Sequence, residues 1–275
     1  MQVASPTSLR EALTMMATAD APLMPVAGGT DLLVSWHHRV KDDWKLLDLS
    51  NLHMELQPLR LTDDSLEIGA LTTYWDVMSS PSVAAAFPLL AQAARQVGAI
   101  QIQTRGTWAG NIANGSPAAD GVPVMMAYSA TVVLESVDGV TEVPLDRYYT
   151  GYKQSVRRPD QLIRAIRLPR RTRRAEWFHK VGARSAQAIS KLGVAVVHDD
   201  DGWRVVANSV APTVLRCRAL ESALDGGATF GTPNEIRRLL DLDIAPIDDM
   251  RSTAQYRANV LSRLLYHWLT DSAGG

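Results

Sequence analysis

At 275 residues, 46% hydrophobic and 21% charged, the chain has the composition of a globular protein long enough for two cores. A net charge of −1 gives it no general attraction for nucleic acid, and its one cysteine, Cys217, excludes an internal disulfide, a CxxC site and any cluster held by several cysteines of its own. No apolar run reaches the ~18 residues of a membrane span and Met1 to Arg10 is too polar for a signal peptide, so the sequence reads as cytoplasmic with no membrane span.

In chain order, Ser8-Leu9-Arg10-Glu11 is a capping box, followed at helical spacing by Leu9, Ala12, Leu13 and Met16. A helix therefore runs to about Asp20-Ala21-Pro22. Leu23 to Val26 reads as a short strand that empties into Ala27-Gly28-Gly29-Thr30-Asp31-Leu32. Such a strand–glycine–helix turn can cradle an anion on backbone N–H groups, although its spacing matches neither GxGxxG nor the P-loop, and for this loop alone a plain connecting turn is the favoured reading. Lys45 to Leu49 and Ser65 to Ala70 read as strands, with Leu59 to Asp64 as hairpin material between them. Thr72 or Thr73 caps a further helical stretch. Pro81 and Pro88 open two more, the second reaching Val97 and stopping at Gly98.

The stretch Thr104 to Pro123 (TRGTWAGNIANGSPAADGVP) is the most distinctive part of the chain. Four glycines stand among Thr107, Asn111, Asn114, Ser116 and Asp120, which predicts a long polar loop tied down by Trp108, Ile112 and Val124 to Met126. Glycines admit close backbone approach to a ligand, and the polar side chains offer hydrogen bonds to it. An ordinary surface loop has the same composition. Beyond it, Val132 to Leu134 and Glu142 to Leu145 predict a hairpin about Asp138-Gly139, and Leu162 to Leu168 a strand closed by Pro169.

Arg170-Arg171-Thr172-Arg173-Arg174 marks the expected domain boundary, as a solvated link ahead of a phosphate or partner site. Three strands follow, Glu176 to Val181, Ser190 to Val197 and Trp203 to Val210, the last two joined by a soluble turn at Asp199 to Gly202. Helices are then expected from Leu215 to Leu224, from Thr232 and from Ser252. The last would carry Tyr256, Val260, Leu261, Leu264, Leu265 and Trp268 in one core-facing stripe.

Hydrolytic machinery is missing. The sequence has no GxSxG elbow and no HExxH, and adjacent histidines such as His37 and His38 point to opposite sides of a strand or about 100° apart on a helix, so they seldom share a metal. Two glycine-rich loops without a protein-based catalytic apparatus suit a chain whose bound cofactor carries the reaction.

In this order, the Val26 to Leu32 loop and Arg105-Gly106-Thr107-x-x-Gly110-Asn111-Ile112-Ala113-Asn114-Gly115-Ser116-Pro117-Ala118-Ala119-Asp120 resemble the FAD-binding medium subunit of the molybdenum hydroxylases, the xanthine dehydrogenase and carbon monoxide dehydrogenase family. The likeness continues through Phe178 to Arg184, Ala188 to Lys191, Ser209 to Thr213 and Asp249 to Arg257, nearly the whole chain. It implies an α+β fold. A two-part FAD-binding domain of the vanillyl-alcohol-oxidase (PCMH) type would occupy 1–170, with subdomains about 1–50 and 51–170. A smaller α+β C-terminal domain, with a three-stranded antiparallel sheet and helices, would occupy 175–275.

Pro25, Val26, Ala27, Gly28, Gly29, Thr30, Asp31 and Leu32, with Thr107, Ala109, Gly110 and Asn111, would hold the FAD pyrophosphate. Asn114, Ser116 and Asp120 would add contacts to pyrophosphate, ribose and adenine. Ile163 would pack on the flavin or adenine, and Lys180 would stand near the isoalloxazine. Ala109 departs from the family's frequent glycine there. No catalytic residue and no metal ligand is implied, and with no cysteine or histidine placed in the loops for a flavin link the FAD would be non-covalent.

The implied work is electron transfer from the [2Fe–2S] clusters of an iron–sulfur small subunit, through FAD, to an external acceptor such as NAD or oxygen. A large subunit would carry the molybdenum cofactor, in a dimer of heterotrimers. Two other readings stay open: a stand-alone FAD-dependent oxidoreductase acting on a small alcohol or NADH, and a non-enzymatic binding protein. For the partner surface the sequence offers Trp36, His37 and His38 and the arginine run from Arg170 to Arg174.

Overall fold

Short strands alternating with helices open the chain: β1 (Gln2–Ala4), α1 (Leu9–Thr18), β2 (Met24–Val26), α2 (Thr30–Arg39) and β3 (Lys45–Asp48). The structure is a computed structural model describing residues 1–39, 44–184 and 187–273, with side chains described except at 35–39 and 272–273. Trp36, His37 and His38, offered above as partner-facing, thus lie outside the described side chains. The strands form a parallel sheet in the order β1-β3-β2, as expected where helical crossovers join them. Ser8 caps α1 by accepting from the Glu11 amide, and Leu9, Ala12, Leu13 and Met16 are its buried face.

The next part contains α3 (His53–Leu56), β4 (Leu59–Leu61), β5 (Ser65–Gly69), α4 (Tyr74–Met78), α5 (Pro81–Ala86), α6 (Pro88–Arg95), α7 (Ile100–Gln103), α8 (Trp108–Asn114), α9 (Gly121–Ala127), β6 (Thr131–Ser136), β7 (Gly139–Pro144), β8 (Tyr149–Gly151), β9 (Gln154–Ser155) and β10 (Leu162–Pro169). Its main sheet is antiparallel in the order β4-β5-β10-β6-β7, with β8-β9 as a separate small hairpin. Thr73 caps α4 in a full capping box with Asp76. Ser136 pairs with Gly139, so the turn is Val137-Asp138, one residue before the expected place, and Gly139 absorbs a φ of +130°.

The polar loop expected from Thr104 to Pro123 holds all of α8 and the start of α9. Trp108, Ala109 and Ile112 bury one face of α8, the Thr107 hydroxyl caps it on the Gly110 amide, and Gly115 ends it at φ +61°. Every residue of α9 is buried. Local polarity concealed these helices because their apolar residues face a core built from distant sequence. That core joins Leu47 and Leu52 of the first part to Ile68, Trp108, Ile112, Leu134 and Ile166.

The C-terminal part holds β11 (Arg173–Val181), β12 (Leu192–Asp199), β13 (Gly202–Asn208), β14 (Leu215–Arg216), α10 (Arg218–Asp225), α11 (Pro233–Leu240) and α12 (Ala254–Ala273). Its antiparallel sheet has four strands, not the expected three. The correction falls on Leu215 and Arg216, read from sequence as the start of a helix. The Glu221 carboxylate accepts from both the Val205 amide and the Arg216 guanidinium, which holds the segment extended against β13 until α10 begins.

Successive residues of β12 point to opposite faces. Val194 and Val196 lie under the helices with Leu220, Ile236, Leu261 and Leu265. Ala195 and Val197 enter the first core. In α12 the inward positions are Ala258, Leu261 and Leu265, while Tyr256, expected in the stripe, is exposed.

The arginine run pairs with the chain's own acids. Arg170 reaches Asp63 at 3.6 Å, Arg171 meets Asp201, Arg174 meets Asp200 at 2.7 Å, and Arg173 bonds Glu176 while lying over the Phe87 and Tyr128 rings. The three-aspartate turn is therefore the partner of Arg171 and Arg174 in the basic run. Deeper in, Arg204 pairs with Asp199 and donates from Nε to the Ala127 carbonyl at 2.6 Å, tying β13 to the end of α9.

These pairs differ in worth. Arg174 and Asp200 are well exposed, where an ion pair contributes about 0–1 kcal/mol, whereas Arg204 and Asp199 are both buried. Arg204→Met is expected to cost about 3–5 kcal/mol in urea unfolding by leaving a buried carboxylate without its cation, with much of it recovered in Arg204→Met/Asp199→Leu. Arg174→Met should change little. A similar, small loss for both single variants would contradict this account of how the domains are joined.

Candidate functional site

Two of the sequence's glycine segments meet. β2 ends at Val26 and the chain turns through Ala27, Gly28 and Gly29 into α2, with Gly29 at φ +70°. A Cβ on Gly28 would stand 1.8 Å from the Arg105 carbonyl oxygen, so the loop before α2 lies directly on the loop before α8 with no room for a side chain between them. The first amides of α2 have no carbonyl one turn back to bond; Leu33 is the first to find one, at Gly29. Asn114 Nδ2 donates to Asp31 Oδ1 at 3.1 Å, joining the far end of α8 to the first turn of α2.

A cleft of about 180 Å³ opens where the loops touch, lined by Ala27, Gly28, Ser50, His53, Leu71, Thr73, Thr104, Arg105 and Thr107. Ala27, Gly28 and Thr107 were expected there. Ser50 and Leu71 carried no signal in the sequence, Thr73 read only as a helix cap, His53 as a packing or surface histidine, and Thr104 only as the start of the polar stretch. Arg105 did carry one, because it stands two residues before Thr107 in the glycine segment.

The remaining expected residues follow along α8. Ala109 and Gly110 are in its first turn, and a Cβ on Gly110 would press on the capping Thr107 hydroxyl at 2.8 Å. Asn111 turns its Oδ1 to the Gly121 amide, so its side chain joins α8 to α9. The Ser116 hydroxyl accepts from the Ala118 amide, a local turn that sets the direction of the chain into Asp120.

Asp120 accepts from Lys180 Nζ at 2.6 Å and from the Ser190 hydroxyl at 2.5 Å, both from the C-terminal part. Burial pushes the Asp120 carboxyl above the usual carboxylate range, opposed by the nearby Lys180 ammonium and the Ser190 hydroxyl. Lys180 also donates to the Gln96 carbonyl at 2.8 Å. Ile163 lies on β10 opposite Leu134, in the core and outside the cleft lining.

Residues 1–171 match the family described as the FAD-binding domain in molybdopterin dehydrogenase, and residues 177–272 match the CO dehydrogenase flavoprotein C-terminal domain. The chain belongs to the FAD-binding medium subunits of the molybdenum hydroxylases. It is 30% identical over 269 residues to the carbon monoxide dehydrogenase medium chain of Hydrogenophaga pseudoflava, covering 95% of this chain and 93% of that one. To the xanthine dehydrogenase FAD-binding subunit of Escherichia coli it is 28% identical, covering 98% and 95%. It superposes on a chain of the Hydrogenophaga pseudoflava carbon monoxide dehydrogenase structure with a TM-score of 0.87 at 28% identity, covering 97% of this chain and 95% of that one.

This medium subunit is thus a flavoprotein subunit of oxidoreductases with FAD as its cofactor. The geometry fits such a ligand. The Gly28–Arg105 approach leaves backbone, not side chains, at the junction, and the unbonded first amides of α2 beside it suit a phosphate-bearing molecule.

The two glycines of the first loop make different predictions. Gly28→Ala must part the loops, and FAD affinity is expected to fall by more than about 100-fold. A Cβ on Gly29 meets only Val26 Cγ1 at 3.9 Å, so Gly29→Ala adds backbone strain of about 1 kcal/mol and should stay within about tenfold of the parent. FAD titration of the apo variants, with circular dichroism to confirm folding, distinguishes them. Equal affinities would contradict the role of the loop junction.

Proposed function

We propose that the chain is the electron-exit subunit of a molybdenum hydroxylase. Electrons taken by a molybdenum-containing large subunit would pass through the [2Fe–2S] clusters of a small subunit to FAD on this chain, and then to an external acceptor such as NAD or oxygen. The observation that carries this reading is the meeting of both glycine loops at Gly28 and Arg105 in a chain that matches the medium subunits end to end. The one cysteine, Cys217, is the buried residue that precedes α10, and burial pushes its thiol far up, so it supplies neither a cluster nor a nucleophile. The electron donor and the hydroxylated substrate then belong to other polypeptides, in an assembly we take to be a dimer of heterotrimers.

FAD, when bound, supplies the exchange between electron pairs and single electrons that such a chain of carriers needs. In this reading the loops at 25–32 and 107–111 hold the pyrophosphate through backbone N–H groups, and Arg105 contributes positive charge at the cleft. Asn114 acts by bracing Asp31 against α8. Asp120 and Lys180, 2.6 Å apart, meet the same part of the cofactor. We assign the pair to the isoalloxazine side, where the ammonium offsets negative charge gained on reduction, in place of the ribose contact that the family resemblance implied for Asp120.

Reconstitution tests the subunit assignment. The isolated FAD-loaded chain is expected to pass no electrons from a purine, an aldehyde or an aromatic heterocycle to a dye, and adding its iron–sulfur and molybdenum subunits should establish that flow. Rapid oxidation of such a donor, or of a small alcohol, by the chain alone would overturn this reading in favour of a stand-alone flavoprotein.

A further inference from the structure

Two signatures of the sequence are left without a task by the site above, Ser209 to Thr213 and Asp249-Met250-Arg251-Ser252-Thr253-Ala254-Gln255-Tyr256-Arg257, and they meet. The Asp249 carboxylate accepts from the amides of Arg251 (2.8 Å) and Ser252 (3.1 Å), which folds the segment into a tight turn, and from Arg257 Nη2 at 2.6 Å. Although burial acts to raise its pKa, those two amides and the Arg257 guanidinium hold it at about 2, so the pair stays ionised at any working pH. The Arg257 side chain is buried, with 4% of its surface exposed.

Its other nitrogen, Nη1, donates to the Ser209 carbonyl at 2.7 Å. Ser209 stands in the left-handed region, φ +61°, an uncommon place for a residue with a side chain. That conformation turns the Ser209 amide to the Pro117 carbonyl at 2.7 Å. Beside it, Asn208 Nδ2 donates to the Ala119 carbonyl at 2.9 Å, and Ser190 and Lys180 hold Asp120. Residues 117, 119 and 120, which follow the second glycine segment, are thus gripped from the C-terminal part, with Arg257 at the root of the grip.

We infer that Arg257 is a positioning residue for the cofactor loops: through Ser209 it fixes Pro117, and through Pro117 the placing of α8 and Asp120. The inference rests on the FAD reading above. Packing alone does not account for a guanidinium here. Among the described residues Arg257 Nε has no hydrogen-bond partner, and a buried charge is a poor source of stability compared with an apolar side chain of the same volume. What the charge provides is a fixed direction: one fork bonds a carboxylate, the other a backbone carbonyl of a strained residue.

The test uses the full-length chain stripped of flavin and titrated with FAD, with visible circular dichroism of the bound flavin and urea unfolding measured alongside. Arg257→Gln is expected to weaken FAD binding about tenfold and to alter the flavin's visible dichroism. Asp249→Asn, a milder change that still offers an acceptor, should move both readouts in the same direction by less. Arg257→Lys should recover part of each.

Arg237→Gln is the control. Arg237 bonds Asn259 of α12 at 2.7 Å and Asp241 at 2.6 Å, away from this relay, so its loss should lower the urea midpoint and leave the flavin readouts unchanged. If Arg257→Gln does not fold, Asp249→Asn and Arg257→Lys decide. Wild-type FAD affinity and dichroism in the folded variants would overturn the proposal, as would an equal loss of FAD in Arg237→Gln at matched stability. Failure of the parent chain to take up FAD would instead overturn the cofactor reading on which it rests.

Discussion

A carboxylate buried at Asp120 needs a counter-charge, and the chain supplies one from its other domain, in Lys180 of β11, with Ser190 as second donor. Removing either ionic partner would leave the other buried and unpaired, a loss of the order of 3–5 kcal/mol. The pair therefore fixes where the C-terminal sheet sits against the loop that follows α8. The hydrogen bonds from Asn208 and Ser209 to the carbonyls of Ala119 and Pro117 hold the same loop from the same domain. The C-terminal domain thus holds the loop that follows the second glycine segment, although both glycine segments lie in the first domain.

The same constraint explains how two loops with about 75 residues between them come to share one cleft. Gly28 touches the Arg105 carbonyl from one side, and Asn114 reaches Asp31 from the other end of α8. Helix α8 spans about 10 Å, so it is fixed at both ends against the first turn of α2 and its preceding loop. Moving the loop at 117–120 would move α8, and with it the junction.

Local signals in the sequence were good guides where the physics is local. The caps at Ser8 and Thr73 and the prolines opening α5 and α6 all describe interactions within a few residues, and each element is present. The polar stretch from Thr104 misled because Thr107, Asn111, Asn114 and Ser116 stabilise turns and helix ends as readily as they line loops. The fourth strand of the C-terminal sheet was hidden for a different reason: Leu215 and Arg216 are extended only because Glu221, one turn into α10, accepts from both Arg216 and β13. In the site, the glycines were legible because their conformational demands are intrinsic. Ser50, His53 and Leu71 were not, since only tertiary structure brings them to the cleft. The pairings of Asp120 with Lys180 and of the arginine run with Asp199 to Asp201 were likewise illegible, because charge in a sequence carries no address.

Amide hydrogen exchange of the full-length chain with and without FAD tests the central claim most directly, that the two glycine loops and the loop held by the C-terminal domain form one cofactor site. The account predicts that FAD protects residues 26–33 and 104–120 together, along with the turn at Asn208-Ser209 that grips them. Protection confined to one of the two glycine loops, or falling instead on the polar cleft lined by Arg147, Arg216 and Arg218 on another part of the molecule, would contradict it.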